Sequence, residues 1–378
     1  MAKQTPVNDA RMTATGRLSA AGTKLLNGNF VYTLLSIVIG FLVGAVAMGV
    51  AGYNPIQAYG SLFGVVFDTT KTMSYSFVEY ATPYILTGLS VAFSFKTGIF
   101  NIGAEGQYVM GSIAAMLVGA FVPAPAIILI PLCILASIAI GVLWGGLVGY
   151  LKVKFGSHEV LCMIMFNWIA YYLSNFLVMA KGINIGGGKT WSHAIQDAAK
   201  ITITDWFPKN AVSSRTHFGI VLAIVCVIAI YYIINRTTLG YRLKAVGYNR
   251  SAAEYAGINA NRCVIVSLAI SGALASLAGG LQVMGVTYKV TQFAAQESYG
   301  FNGITVALIG ATNPIGTLIA GWFFGAMKYA GTRMKLLDGT RVPKEIVDII
   351  MGCIVFFIAI SNLFRAFVQG RGKKGGKA

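Results

Sequence analysis

Lys96, Asn101, Glu105 and Gln107 stand within twelve residues of one another in one of the most apolar parts of this chain, the stretch FSFKTGIFNIGAEGQYVMG from Phe93 to Gly111. One carboxylate and two carboxamides at that spacing can accept and donate hydrogen bonds to a small polar solute. A carboxylate at membrane depth is expensive, and such residues face a bundle interior or a watery path. Glycines at 98, 103, 106 and 111 permit a helix break and close helix approach. Irregular backbone at that depth is tolerated only where protein or a water-filled cavity covers it. One reading is therefore a broken or re-entrant element lining a polar route. The other is a short cytosolic turn with Lys96 and Glu105 as an interfacial ion pair, and the spacing leaves both open.

A second stretch, YRLKAVGYNRSAAEYAGINANR from Tyr241 to Arg262, suits docking rather than catalysis. Ser251 and Glu254 have the spacing of a capping box, which predicts a helix starting at Ser251. Gly257 sits where a helix-ending glycine belongs. An isolated helix of one or two turns is marginal in water, so a partner's surface or the membrane surface would have to hold it.

Other chemistry is thinly represented. GGGKT (Gly186 to Thr190) lacks the glycine that a phosphate loop needs five residues before Gly188, where Ile183 stands instead. It reads as an exposed turn. Asn235-Arg236-Thr237 matches a glycosylation sequon on what the topology makes the cytosolic side. His158, His193 and His217 have no metal-like spacing, and Cys133, Cys162, Cys226, Cys263 and Cys353 lie singly. Neither a disulfide framework nor a zinc site follows from that pattern. No nucleophile with its base is recognisable, so the expectation is a chain that is not an enzyme and binds no cofactor or metal of its own.

The elements that must position these residues are set by composition. Of 378 residues, 56% are hydrophobic and 11% charged, whereas a soluble domain carries roughly a quarter charged. Apolar runs recur at close to the ~20 residues of a membrane-spanning helix. A β-barrel would show short alternating segments instead. The expected fold class is all-α integral membrane, with about ten transmembrane helices, some short or broken. They are expected at 30–50, 78–95, 101–121, 126–150, 159–180, 216–235, 262–284, 300–312, 314–331 and 346–367. The eighth and ninth are read as short, separated at GATNP (Gly310 to Pro314).

The organisation expected is a cytosolic segment 1–29, one transmembrane domain 30–367 and a basic cytosolic tail 368–378. Within the domain, 181–215 is an external loop and 236–262 a cytosolic one. The polar first 29 residues are too long a lead for a typical cleaved signal peptide. The net charge of +17 lies mainly between apolar runs and at the two ends. That suits anionic headgroups and the positive-inside bias, not nucleic acid. The basic outer segments 181–215 and 331–345 run against this bias.

With both stretches in hand, the chain resembles the permease subunits of ATP-binding-cassette (ABC) importers. The likeness is to the nucleoside and simple-sugar branch of the branched-chain amino acid permease superfamily. It is carried by LTGLSVAFSFKTGIFNIGAEGQYVMG (Leu86 to Gly111), SHEVLCMIMFNWIAYYL (Ser157 to Leu173), AVGYNRSAAEYAGIN (Ala245 to Asn259) and GITVALIGATNPIG (Gly303 to Gly316). The even number of expected spans and the basic ends put both termini in the cytosol, and the resemblance implies a type II-like ABC importer permease architecture in a bacterial plasma membrane. It implies a cytosolic ABC ATPase that carries ATP-Mg, a second permease chain, like or unlike, and an extracytoplasmic substrate-binding protein.

The resemblance also implies roles for particular residues. Asn101, Glu105, Gln107, Asn167 and Trp168 would line or gate the path, with Asn302 and Thr305 as further candidates. Arg250, Ser251, Glu254 and Gly257 would couple to the ATPase. Aromatic faces beside Asn167 can stack on a base, although Trp and Tyr also populate ordinary interfacial belts. The competing class is an ion-coupled secondary transporter or channel, which commonly uses several ionisable residues deep in its spans. Here Glu105 is the strong one, with Glu79, Lys328 and Asp348 near segment ends.

Overall fold

The computed structural model describes residues 29–67, 75–203, 216–334 and 343–360. The first segment to residue 28 and the tail from 361 onward therefore lie outside the described residues, as do 204–215 and 335–342. The described residues are helical, with three isolated β-bridges and no strands. Helices are α1 (Asn29–Val50), α2 (Pro55–Phe67), α3 (Ala81–Phe95, entered through a π-turn at Tyr75–Tyr80), α4 (Ala104–Phe121), α5 (Ala126–Phe155) and α6 (Glu159–Met179). There follow α7 (Gly219–Arg236), α8 (Thr238–Tyr248), α9 (Arg250–Tyr255), α10 (Ala260–Gln282, continued by a π-turn at Val283–Thr287), α11 (Tyr299–Ile309), α12 (Pro314–Met334) and α13 (Lys344–Ala359).

Four of these, α5, α6, α7 and α10 with its continuation, are long and apolar enough to cross a bilayer unaided. Three differences from the sequence expectation stand out. The segment after α1 forms α2, which packs against α12. The ninth expected span is not short, since α12 runs for 21 residues. The loop before α9 is itself largely the helix α8.

Two compact units divide the chain. One joins the described part of 1–47 to 349–360, where Ile354 stands so close to Gly40 that a Cβ there would overlap it. The other, residues 48–348, contains every residue argued below. Its pole is α10, of whose most apolar window 72% is buried, against 22% in α5. Small residues explain the difference. Gly141, Gly145 and Gly149 put one bare stripe of α5 directly on the backbone of α10, at Gly272 and Leu268. In lipid, where apolar side chains gain little from leaving their solvent, such close backbone approach is a main source of helix association.

The two ends of this unit differ. At one end, the Lys96–Gly98 turn abuts Gly247 of α8, and Lys96 Nζ donates to Thr312 Oγ1 at 3.0 Å. Burial and the neighbouring Lys244 ammonium lower the pKa of Lys96 below the ordinary lysine value. At the other end, residues 181–203 form a strap rather than a free loop. Its amides bond across the π-turn of α10 and the end of α4: Ser192 to the Val290 carbonyl, Ile195 to Tyr288, Gln196 to Gly119. Gly186, Gly187 and Gly188 form its open turn, all with positive φ and nothing near a would-be Cβ.

Candidate functional site

The site is built around two interrupted elements that meet inside the bundle. The first is the passage from α3 to α4. After Phe95 the chain turns at Gly98 (φ 74°) and runs back among the helices before α4 begins at Ala104. The second is α11, eleven residues and so roughly 16 Å long. It starts in the interior beside Glu105 and ends at the Thr312 turn, where Lys96 holds it.

Glu105 joins the two. Its Oε1 accepts from the Ser298 amide at 2.7 Å and its Oε2 from the Gly300 amide at 2.7 Å. Ser298, the residue before α11, contributes no side-chain cap. A carboxylate from α4, almost 200 residues away in sequence, therefore caps the half-helix and faces the positive end of its dipole. Gly300 is required by this contact, because a Cβ there would overlap the backbone of Glu105. The expected alternative of a Lys96–Glu105 ion pair is not formed: Lys96 bonds Thr312 and Glu105 bonds α11.

The carboxamides do similar work. Asn101 Nδ2 donates to Ser271 Oγ at 2.7 Å and to Gln107 Oε1 at 3.0 Å, and lies 3.3 Å from Ser90 Oγ. Ser276 donates its hydroxyl to the Gln107 carbonyl at 2.5 Å. Asn167, on α6, accepts from the Gly106 amide at 2.8 Å and donates to the Ile102 carbonyl at 3.0 Å. It thus caps α4 from outside and clamps the returning chain to α6. Asn101, Glu105, Gln107 and Asn167 are all fully buried, so the four predicted residues form one internal cluster.

The other predicted residues lie apart from it. Trp168 is 45% exposed, stacked on Tyr172 on the outer face of α6. Asn302 and Thr305 are half-buried on α11, where Asn302 hydrogen-bonds the Tyr84 side chain.

Above the cluster, on the strap side, lies a cavity of about 320 Å³. Tyr108 and Ser112 of α4 form one wall, Gln282 and Thr287 of α10 another, and Phe293 and Glu297 of the descending segment a third. Tyr108 stacks on Tyr299 with ring centres 4.9 Å apart. Gln282 is 7% exposed and its Oε1 has no hydrogen-bond partner among the described residues, a buried acceptor that costs free energy until a donor reaches it. Glu297 lines the cavity beside the Tyr108 side chain. Phe293 is pinned to α6 by Asn175, which accepts from its amide at 2.8 Å and donates to its carbonyl at 3.0 Å.

Sequence reasoning missed Tyr108, Gln282, Glu297 and Asn175. Each lies in an ordinary-looking position of its own segment, and only the fold brings them together. One further signal surrounds the half-helix. All four non-glycine residues with left-handed backbone among those described fall between 288 and 312: Tyr288, Ser298, Ala311 and Thr312. Such conformations cost of order 1–3 kcal/mol each and cluster at functional elements.

The docking candidates are arranged differently from the expectation in one respect. Asn249, not Ser251, caps α9, accepting from the Ala252 amide at 3.0 Å; Ser251 lies inside the helix. The capping-box reading fails because the cap lies two residues earlier, at Asn249, and Glu254 turns to Arg250 at 3.1 Å instead. The helix end is as expected. Gly257 (φ 79°) donates to the Glu254 carbonyl and Ile258 to that of Ala253, the two bonds of a Schellman motif. Tyr248 and Tyr255 flank α9 at 89% and 97% exposure.

The family described as "Branched-chain amino acid transport system / permease component" matches residues 74–359. The chain is 37% identical to the guanosine ABC transporter permease protein NupP of Bacillus subtilis (strain 168), over 91% of this chain and 96% of that one. It is 34% identical to the nucleoside ABC transporter permease protein NupB of Lactococcus lactis subsp. cremoris (strain MG1363), over 91% and 97%. The glucose ABC transporter permease protein TsgB13 of Haloferax volcanii is 30% identical, over 89% of each chain.

Proposed function

Because the chain belongs to the branched-chain amino acid transport system permease-component family, we propose that the solute this multi-pass importer subunit carries is a nucleoside. The chain is a transport component and not an enzyme. The reading places it in a bacterial plasma membrane with the Lys96 and α9 end in the cytosol and the strap outside. An external binding protein delivers the solute to the strap side. A cytosolic ATPase, which holds ATP-Mg, seats α9, and a second permease chain completes the assembly.

The observation that carries the mechanism is that α11 is held at both ends. Its amino end is clasped by Glu105 at the base of the cavity, and its carboxyl end is tied through Thr312 to the Lys96 turn. That turn touches α8 at Gly247, one residue before the exposed Tyr248 and the start of the docking loop. A displacement of α9 driven by the ATPase is thereby passed through Gly98 and Lys96 to α11, and the base of the cavity moves. In this reading Asn101, Glu105, Gln107 and Asn167 are positioning residues that keep the gate elements in register. Tyr108, Gln282 and Glu297 touch the solute. The aromatic wall suits a base, and the two acceptors suit its N–H edge or the ribose hydroxyls.

The test is uptake of radiolabelled nucleoside by proteoliposomes containing the full importer. Uptake should need ATP, survive a protonophore and be competed by unlabelled nucleosides but not by hexoses. Gln282→Leu should raise the half-saturating concentration roughly fivefold, the loss of one hydrogen bond worth about 1 kcal/mol. Competition by hexoses alone would transfer the substrate to the sugars. Uptake abolished by the protonophore with ATP maintained would make the chain an ion-coupled carrier.

A further inference from the structure

Two guanidinium groups in the cytosolic loop have no assigned task. Arg250 is fully engaged, donating to Glu254 at 3.1 Å and to Asn261 at 2.7 Å. The guanidinium groups of Arg242 on α8 and Arg262 on α10 make no hydrogen bond or ion pair among the described residues, and both residues are exposed. Both line a single groove of about 650 Å³ between α8, the turn after α9 and the start of α10. Cys263, whose thiol both arginines influence electrostatically, lines the same groove. Among the described residues no carboxylate lines this groove. Two like charges left facing one concavity repel each other until an anion sits between them.

The depth of the groove selects the anion. It begins at Thr238, two residues after the spanning helix α7 ends, and reaches Val266, within the second turn of the spanning helix α10. It therefore lies at the rim where two spans leave the apolar phase. Leu239, Ile258 and Val266 form an apolar floor beside the two arginines, and Tyr241, 67% exposed, stands at its edge in the manner of an interfacial aromatic. Free phosphate would use the guanidinium groups and gain nothing from the floor. A phospholipid would use both, its phosphate forked between the arginines and its glycerol shoulder on the aliphatic side chains. Basic pockets at the cytosolic ends of membrane helices hold anionic headgroups in this way.

The geometry points to a structural binding site for one anionic phospholipid, its phosphate between Arg242 and Arg262, seated against the turn that ends α9. Gly257 and Ala256 form part of the same groove, so the lipid braces the turn that ends the docking helix. This assignment is independent of which solute the importer carries.

The experiment is native mass spectrometry of the delipidated full chain, titrated with phosphatidylglycerol or phosphatidylcholine in mixed micelles. Phosphatidylglycerol should bind at one per chain more tightly than phosphatidylcholine. Arg242→Gln combined with Arg262→Gln should weaken it about 30-fold, and Arg250→Gln should leave it unchanged. A melting temperature within experimental error of the parent chain shows that the double variant is folded. If it is not, the single variants, each expected to lose about fivefold, decide the matter. Equal binding by the parent chain and the variants overturns the site. Full displacement by millimolar inorganic phosphate makes it an ion site and overturns the lipid. Stoichiometric loss of the lipid when the ATPase is added makes the groove part of the ATPase contact and overturns it likewise.

Discussion

The Glu105 clasp and the α9 docking loop are both rich in polar residues, yet they dispose of them in opposite ways. In the clasp, Asn101, Glu105, Gln107 and Asn167 are buried, and most of their polar atoms are bonded to amides, carbonyls or hydroxyls of the same chain. In the docking loop, Tyr248, Arg250, Glu254 and Tyr255 are exposed, and the local bonds among them are surface bonds of small worth. The first region uses polarity to hold a broken backbone together inside lipid. The second leaves most of these side chains at the surface. A polar residue in a membrane protein is therefore not by itself a sign of solute contact. Its partners decide.

The sharpest way to break this contrast is Glu105→Ala. It leaves the Ser298 and Gly300 amides without an acceptor in a region closed to bulk water. The expected cost is about 3 kcal/mol, seen as a lower melting temperature in nanodiscs together with loss of uptake. Glu105→Gln, which retains one acceptor oxygen, should fall between. Parent-like melting and uptake in the alanine variant would show that the clasp carries neither stability nor transport.

The opposite pattern is expected at α9. Replacing both Tyr248 and Tyr255 by alanine should move stability by less than about 0.5 kcal/mol. Affinity for the ATPase, measured by co-purification or interferometry, should drop about 30-fold, because exposed aromatics of this kind act as anchors at interfaces. Unchanged ATPase affinity would leave α9 as a plain loop helix and erase the distinction between the regions.

A smaller effect separates the two possible caps. Asn249→Ala should cost about 1 kcal/mol of local helix stability, whereas Ser251→Ala should be close to neutral. Hydrogen exchange at the Ala252–Tyr255 amides reads both. Faster exchange in the serine variant alone would restore the capping box that the sequence suggests.

How much of this was legible in the chain follows from the range of each interaction. The end of α9 was readable because a left-handed stop needs glycine and Gly257 is the glycine at that place. The start was misread by two residues, since Asn249 and Ser251 are both good caps and their spacing cannot rank them. The strap was taken for a plain external loop because its bonds run to the ends of α4 and α10, partners that no local pattern names. Helix α2 was overlooked between stronger apolar runs.

The sequence by itself determined that this is an all-helical membrane protein, that polarity is concentrated around Asn101–Gln107 and that a short helix ends at Gly257. Those are consequences of composition and of spacing within one or two turns, where the chain has little choice. Only the tertiary structure decided what Glu105 is for. Its partners are backbone amides, which nearly every residue carries, so nothing in the letters at Ser298 and Gly300 marks them. They became its partners because α10 holds α4 in place and α11 begins halfway through the bundle, leaving a helix end that lipid cannot solvate.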